Sequence, residues 1–174
     1  RDEYERAKKS MPAALFGMRY DGVFPDDDAL VFPAFDYDKN IRECGITIDG
    51  TPIYVACNFQ ANPMYFLLSQ PRPDGSIHVF SEMIMRDTTT AKALDALHVA
   101  YGEHPGTWRF FGDAPGRGNT AAAVSDYQSI MADGRFRRRT ISALANPAAV
   151  VDRVAATNAR FLCSDGKPRL FIDE

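Results

Sequence analysis

At 174 residues, 45% hydrophobic, 11% aromatic and 25% charged, the chain has the make-up of one globular core with a short appendage and excludes wholesale disorder. No apolar run approaches the ~20 residues that span a bilayer, and the charged opening Arg1-Asp2-Glu3 is no signal peptide. The net charge of −3 excludes a strongly basic polyanion binder, yet it is unevenly spread: residues 1–87 carry 9 basic and 14 acidic groups, residues 88–174 carry 11 and 9. The second half is therefore +2, which leaves room for a local basic stripe.

Residues 1–22 read as a charged, amphipathic helix broken at Pro12. From residue 23 to 42 periodicity gives way to Pro25, Pro33 and a scatter of aspartates. This is an extended arm, lying on the domain or linking it to a preceding one, so the chain divides into an arm at 1–44 and a domain at 45–174. Asp26, Asp27 and Asp28 make a solvated loop, since neither their spacing nor a glycine suits a calcium loop.

Residues 44–49 are a strand candidate closed by the hairpin signal Asp49-Gly50. Residues 53–58 follow, a run of β-formers that stops abruptly at polar Asn58 before a tight turn at Asn62-Pro63. Residues 64–70 and 76–85 form two more strands across Pro71-Arg72-Pro73-Asp74-Gly75. Thr88-Thr89-Thr90 caps a helix with Leu94, Leu97 and Tyr101 on one face and Gly102 as its stop. Residues 108–112 form a strand that ends in Asp113. A second helix is expected from Thr120, with Val124, Tyr127 and Met131 on its buried face. Residues 136–141 read as a strand among Arg135, Arg137, Arg138 and Arg139. Asn146-Pro147 starts a third helix, buried along Val150, Val154 and Phe161. Residues 162–163 and 169–172 close as a hairpin around Ser164-Asp165-Gly166-Lys167-Pro168. A meander followed by helix–strand–helix–strand–helix is an α/β fold, a mixed β-sheet flanked by helices. The ribonuclease-H-like fold requires this order, and several other α/β folds share it.

A polar residue at the mouth of a buried strand is held by the strand and left accessible by the loop. Asn58 closes one strand, Asp113 closes another 55 residues later, and Glu82 sits near the end of a third. Parallel neighbouring strands would bring 58 and 113 together. Converged carboxylates bind Mg²⁺ or Mn²⁺, and two such ions ~3.5–4 Å apart promote phosphodiester hydrolysis. The bland alternative for Asp113 is a turn or cap residue. Glu82 is either a further ligand, a base orienting water, or a solvent-facing strand residue. Asp126 suits the first turn of a helix. The loop Gly116-Arg117-Gly118-Asn119-Thr120 lacks the lysine of a phosphate loop, though Arg117 and nearby N–H groups can touch a DNA phosphate.

The arginines at 135–139 are either a charged edge that blocks sheet association or part of a phosphate-contacting stripe. In the second case Arg137, Arg138 and Arg139 continue into Arg153, Arg160 and Lys167. His78, His98 and His104 have no ligand spacing, and no Ser or Cys has a triad-like neighbourhood. Three cysteines without a CxxC fit a reducing cytoplasm and argue against structural zinc.

Several short motifs, in order, resemble the nuclease domain of tailed-phage large terminases. They are Asn58-Phe59-x-x-Asn62-Pro63-Met64, Phe80-x-Glu82, Phe111-Gly112-Asp113-Ala114-x-Gly116 and Thr120-x₄-Ser125-Asp126-Tyr127. Asn146-Pro147, Asp152-Arg153-Val154, Asn158-Ala159-Arg160 and the segment from Gly166 to Asp173 extend the match to the end. The resemblance implies a ribonuclease-H-like, two-metal (Mg²⁺ or Mn²⁺) endonuclease that cuts concatemeric double-stranded DNA during packaging. It implies an upstream ATPase domain, with portal and small terminase subunit as partners, in the host cytoplasm and away from membranes. The family's first metal-binding aspartate falls on position 58 and its second acid on Asp113. Asparagine at 58 is a departure that implies weak metal binding and poor cleavage. The family's last acidic ligand lies further downstream than Glu174, so the chain reads as a fragment. A junction resolvase of the same fold and a catalytically silent DNA-docking module are the alternatives.

Overall fold

The computed structural model describes residues 4, 30–60, 62–112, 125–136, 138–143 and 149–174. The run at Asp26–Asp28, the loop with Arg117, the cap at Asn146-Pro147 and nearly all of the expected helix at 1–22 lie outside them, as do Asp113 and Arg137.

Chain order gives α1 (Tyr37–Asn40), β1 (Ile53–Asn58), β2 (Met64–Pro71), β3 (Ile77–Met85), α2 (Thr90–Tyr101) and β4 (Trp108–Gly112). These are followed by α3 (Asp126–Ala132), β5 (Thr140–Ala143), α4 (Val150–Phe161) and β6 (Leu170–Ile172). The strands form one sheet in the order β5-β4-β1-β2-β3-β6. The meander β1–β2–β3 is antiparallel, β4 and β5 run parallel to β1, and β6 adds parallel to β3. This mixed sheet with flanking helices is the α/β, ribonuclease-H-like arrangement expected from the element order.

Alternation on β1 and β2 explains which face is covered. Ile53, Val55 and Cys57 point the same way as Met64, Phe66 and Leu68, and all six are buried. Ala93, Leu94 and Leu97 of α2 and Tyr127 and Ile130 of α3 complete that core. Each large side chain removed from water here contributes about 1.5–3 kcal/mol. Thr89 caps α2 by accepting from Lys92 N–H, and α3 opens with a capping box between Ser125 and Gln128. The Thr90 hydroxyl donates to Asp126, tying the two helix starts together, so Asp126 has a structural partner. The other face carries Tyr54, Ala56, Asn58, Tyr65, Leu67, Glu82, Ile84, Arg109 and Phe111, all exposed or half-buried.

Several expectations are corrected. Residues 44–49 form no strand, because side chains take up their backbone groups: Gln70 accepts Thr47 N–H and donates to the Thr47 carbonyl, Asp173 accepts Cys44 N–H and Arg72 donates to the Gly45 carbonyl. The strand expected at 136–141 starts at Thr140. Arg138 has a φ of 55° that breaks extension, and fully buried Phe136 instead packs edge-on against Trp108 and Phe110. Met131 is exposed, with Ile130 buried in its place. On α4, Val150 is exposed and only Phe161 is buried, because the helix docks through its last turn onto Phe32 and Phe35. The chain reverses at Ser164-Asp165, where Cys163 N–H donates to the Lys167 carbonyl, but residues 162–163 form no strand and β6 pairs with β3 instead.

The described part of the arm is built into the body. Asn158 exchanges bonds with Ala34 N–H and the Val31 carbonyl, Arg42 N–H donates to the Ile172 carbonyl, and Cys44 N–H donates to Asp173. Cys44 is fully buried, and that burial pushes its thiol above the ordinary cysteine range. Thiol-alkylation with mass mapping should therefore label half-buried Cys163 first in the native protein. Labelling of Cys44 at a comparable rate would contradict this packing. No helix among the described residues is long and apolar enough to cross a membrane.

Candidate functional site

The candidate site lies where β1 and β4 end side by side. The two strands are parallel neighbours in unbroken register from Ile53 opposite Trp108 to Cys57 opposite Gly112. Asn58 is the next residue on β1 and is paired with Tyr65 on β2. Its side chain belongs to the face opposite the core and is half-buried. The amide oxygen accepts the Gln60 N–H at 3.2 Å, an Asx-type turn that carries the chain away from the strand tip.

Gly112 is required by its neighbours. A Cβ there would lie 2.5 Å from a Phe59 ring carbon and 2.6 Å from the Tyr127 hydroxyl oxygen. The Phe59 and Tyr127 rings meet edge to face at 5.2 Å, so the loop after β1 and the start of α3 close on the end of β4. Gly112→Ala should lower stability by about 1–3 kcal/mol, because two packed aromatic rings must shift. Urea unfolding checks this, and an unchanged midpoint would show that the rings yield freely. The apolar Phe59 directly after polar Asn58, and the glycine before Asp113, were the sequence signals for this packing.

Glu82 is three residues before the end of β3 at Met85, as expected, but not beside Asn58. It pairs with Leu67, which faces Ala56, so it lies two strands across and two residues below the Asn58 row. Strand spacing and rise put the two backbones about 12 Å apart, too far for side chains standing off the sheet to share one ion. Glu82 instead lines a cleft of about 450 Å³ with Asp173 and Glu174. Among the described residues no three His, Cys, Asp or Glu side chains converge to hold a metal.

The expected arginine stripe is divided. Arg138 and Arg139 precede β5 at one sheet edge, whereas Lys167 precedes β6 at the other. Arg139 is occupied with the carbonyls of Phe136 and Met131, and Arg135 pairs with Asp95 at 2.7 Å and Asp133 at 2.6 Å. Arg153 and Arg160 are exposed on α4. The N-terminal ends of β5 and β6, where Arg138, Arg139 and Lys167 sit, are at the far end of the sheet from Asn58.

No family model matches the chain, and no curated protein does. Solved structures do. The large terminase of a thermophilic bacteriophage superposes with a TM-score of 0.60 at 14% identity, covering 98% of this chain and 40% of that protein. The P22 large terminase nuclease domain superposes with a TM-score of 0.59 at 9% identity, covering 83% of this chain and 72% of that domain. The fold is that of a terminase nuclease domain. The chain thus spans about 40% of the thermophilic phage's terminase, and within the terminase nuclease fold its β1 and β4 tips are the adjacent pair just described.

Proposed function

We propose that the chain is the nuclease domain of a phage-type DNA-packaging terminase, joined in its full protein to an ATPase motor, and that its cleavage of double-stranded DNA is impaired at position 58. The observation that carries this reading is the parallel β1–β4 register ending at Cys57 and Gly112. In the sequence Asn58 directly follows Cys57 and Asp113 directly follows Gly112. On this reading residue 58 and Asp113 would be the pair that holds Mg²⁺ or Mn²⁺.

The residue at 58 does not fit a metal pair. Its amide oxygen is neutral and already accepts the Gln60 N–H, whereas hard dications take carboxylate oxygens. The function proposed for the chain as it stands is duplex DNA binding with little cleavage. Glu82 keeps at most an indirect part, on the same face but in another row. The Arg117 loop, Arg137, Arg138, Arg139, Arg153, Arg160 and Lys167 are proposed DNA contacts, acting as separate patches. Portal and small terminase subunit are the proposed partners, and the host cytoplasm the proposed site of action.

The test is plasmid nicking by the Asn58→Asp chain with Mn²⁺, with and without Asp113→Ala. Duplex binding without cutting under any divalent metal would leave a DNA-docking module as the function, which the neutral Asn58 favours as the second reading.

A further inference from the structure

The sheet carries a second charged feature, at the edge formed by β3, β6 and the arm. Arg42 is fixed there from three sides. Its backbone N–H donates to the Ile172 carbonyl at 3.0 Å, its guanidinium lies 3.3 Å from the Phe171 ring centroid, and one guanidinium nitrogen is 2.8 Å from His78 Nε2. A guanidinium only donates, so His78 Nε2 must be the acceptor of that bond. Arg72 donates to the Gly45 carbonyl nearby. Among the described residues neither Arg42 nor Arg72 forms an ion pair, and Lys167 is exposed and likewise unpaired. Arg169 is neutralised by Asp165 at 2.8 Å, and Asp74 is engaged by the Ser76 N–H and hydroxyl. Arg42, Lys167 and Asp74 line a cleft of about 270 Å³.

A guanidinium held flat on a ring, with no carboxylate on its fork, is preorganised for an oxyanion and loses little freedom on binding one. We propose that Arg42, with Arg72, His78 and Lys167 around it, is a phosphate-backbone contact for duplex DNA, separate from the β1–β4 tips. The proposal rests on the DNA-binding reading above. Along β2, Tyr65 faces Asn58 and Gln70 faces His78, five residues further on. Strand rise and spacing then separate the cleft from the strand tip by about 20 Å. His78 pairs with buried Gln70 and with Phe171 of the core, so the cleft opens on the core side of the sheet and Asn58 on the other, and the two are separate contact places.

The cleft also explains the state of His78. Burial and then the charges of Arg72 and Arg42 hold its ring below the ordinary histidine range, with Asp74 pulling the other way. A phosphate seated on Arg42 would supply the missing negative charge, so the His78 ring reports occupancy.

The experiment is fluorescence anisotropy with the full chain and a labelled duplex of about 20 base pairs, over a salt series. Arg72→Gln/Lys167→Gln, which leaves the Arg42 stack intact, should weaken binding about tenfold and reduce the salt slope by about 2. Arg42→Gln should do the same with a slope change of about 1, while Lys92→Gln on α2 should stay within about twofold. Parental affinity and slope in the double variant would overturn the proposal, as would an equal loss in Lys92→Gln. If inorganic phosphate shifts the His78 ring resonances and duplex DNA does not, the cleft is a free-phosphate site and the proposal also fails. These outcomes are independent of cleavage. An Asn58→Asp chain that binds through this cleft but never nicks sinks the nuclease reading alone.

Discussion

Asn58→Asp is expected to raise Mn²⁺-dependent nicking of supercoiled plasmid by at least about a hundredfold over the parent chain. The change is nearly isosteric. The aspartate oxygen can keep accepting the Gln60 N–H that the asparagine oxygen accepts at 3.2 Å, so the turn after β1 should survive. What it adds is a full negative charge at the tip of a rigid, buried strand whose neighbour ends one residue before Asp113. Disturbing even an outer partner of a metal ligand typically costs 10–100-fold in affinity or activity, so a neutralised ligand sets a loss of at least about that size. Asp113→Ala in the restored chain should return nicking to the parental level, because one carboxylate cannot hold a metal pair. Two controls make the result readable. The melting temperature of the restored chain should match the parent's, and chelation should abolish the gained activity. Preferential cutting of four-way junctions over duplex would instead place the chain with the junction resolvases. An Asn58→Asp protein that binds duplex normally but never nicks would leave the docking reading standing.

The sheet was legible where local pattern and tertiary role agree. The alternation of Ile53, Val55 and Cys57, the turn at Pro73-Asp74-Gly75 and the threonine cap before α2 each specify their structure from neighbours in sequence. The misses share a different physics. Residues 44–49 have a strand-like pattern, but their backbone bonds go to side chains distant in sequence: Cys44 N–H to Asp173, the Gly45 carbonyl to Arg72 and Thr47 to Gln70. Residues 169–172 look like half of a hairpin, yet parallel pairing with Ile77 to Val79 captures them, and Asp173 N–H donates to the Val79 carbonyl. The arginines before β5 sit in a turn because Phe136 is drawn into the Trp108–Phe110 aromatic cluster. At the candidate site, only the possibility of pairing β1 with β4 follows from element order, which other α/β folds share. The distance of Glu82 from Asn58 does not, since it depends on which strands intervene. Least visible of all were buried polar residues, which no hydrophobic pattern reveals.

Asn40 is the strongest example, and Asn40→Ala should lower the unfolding free energy by about 3 kcal/mol. The residue is fully buried at the end of α1, and each of its polar atoms is used. Its amide nitrogen donates to the Phe161 carbonyl at 3.0 Å and to the Leu170 carbonyl at 3.0 Å, while its oxygen accepts the Asp36 N–H at 2.9 Å. One side chain thus joins the arm, the last residue of α4 and the first residue of β6. Alanine would remove three bonds worth about 1 kcal/mol each and leave buried carbonyls unpaired, which is the costlier half of the loss. Asn40→Asp should be at least as damaging, because a carboxylate in that position faces two carbonyl oxygens with no proton to offer. The effect should be directional as well as large. Because the two freed carbonyls belong to residues 161 and 170, hydrogen exchange should rise first in residues 30–42, α4 and β6, before it rises in β1 or β4. Denaturant unfolding measures the first expectation and exchange mass spectrometry the second. Uniform exchange across the sheet would mean that the arm and the β1–β4 tips unfold as one unit, and that Asn40 supports the candidate site directly.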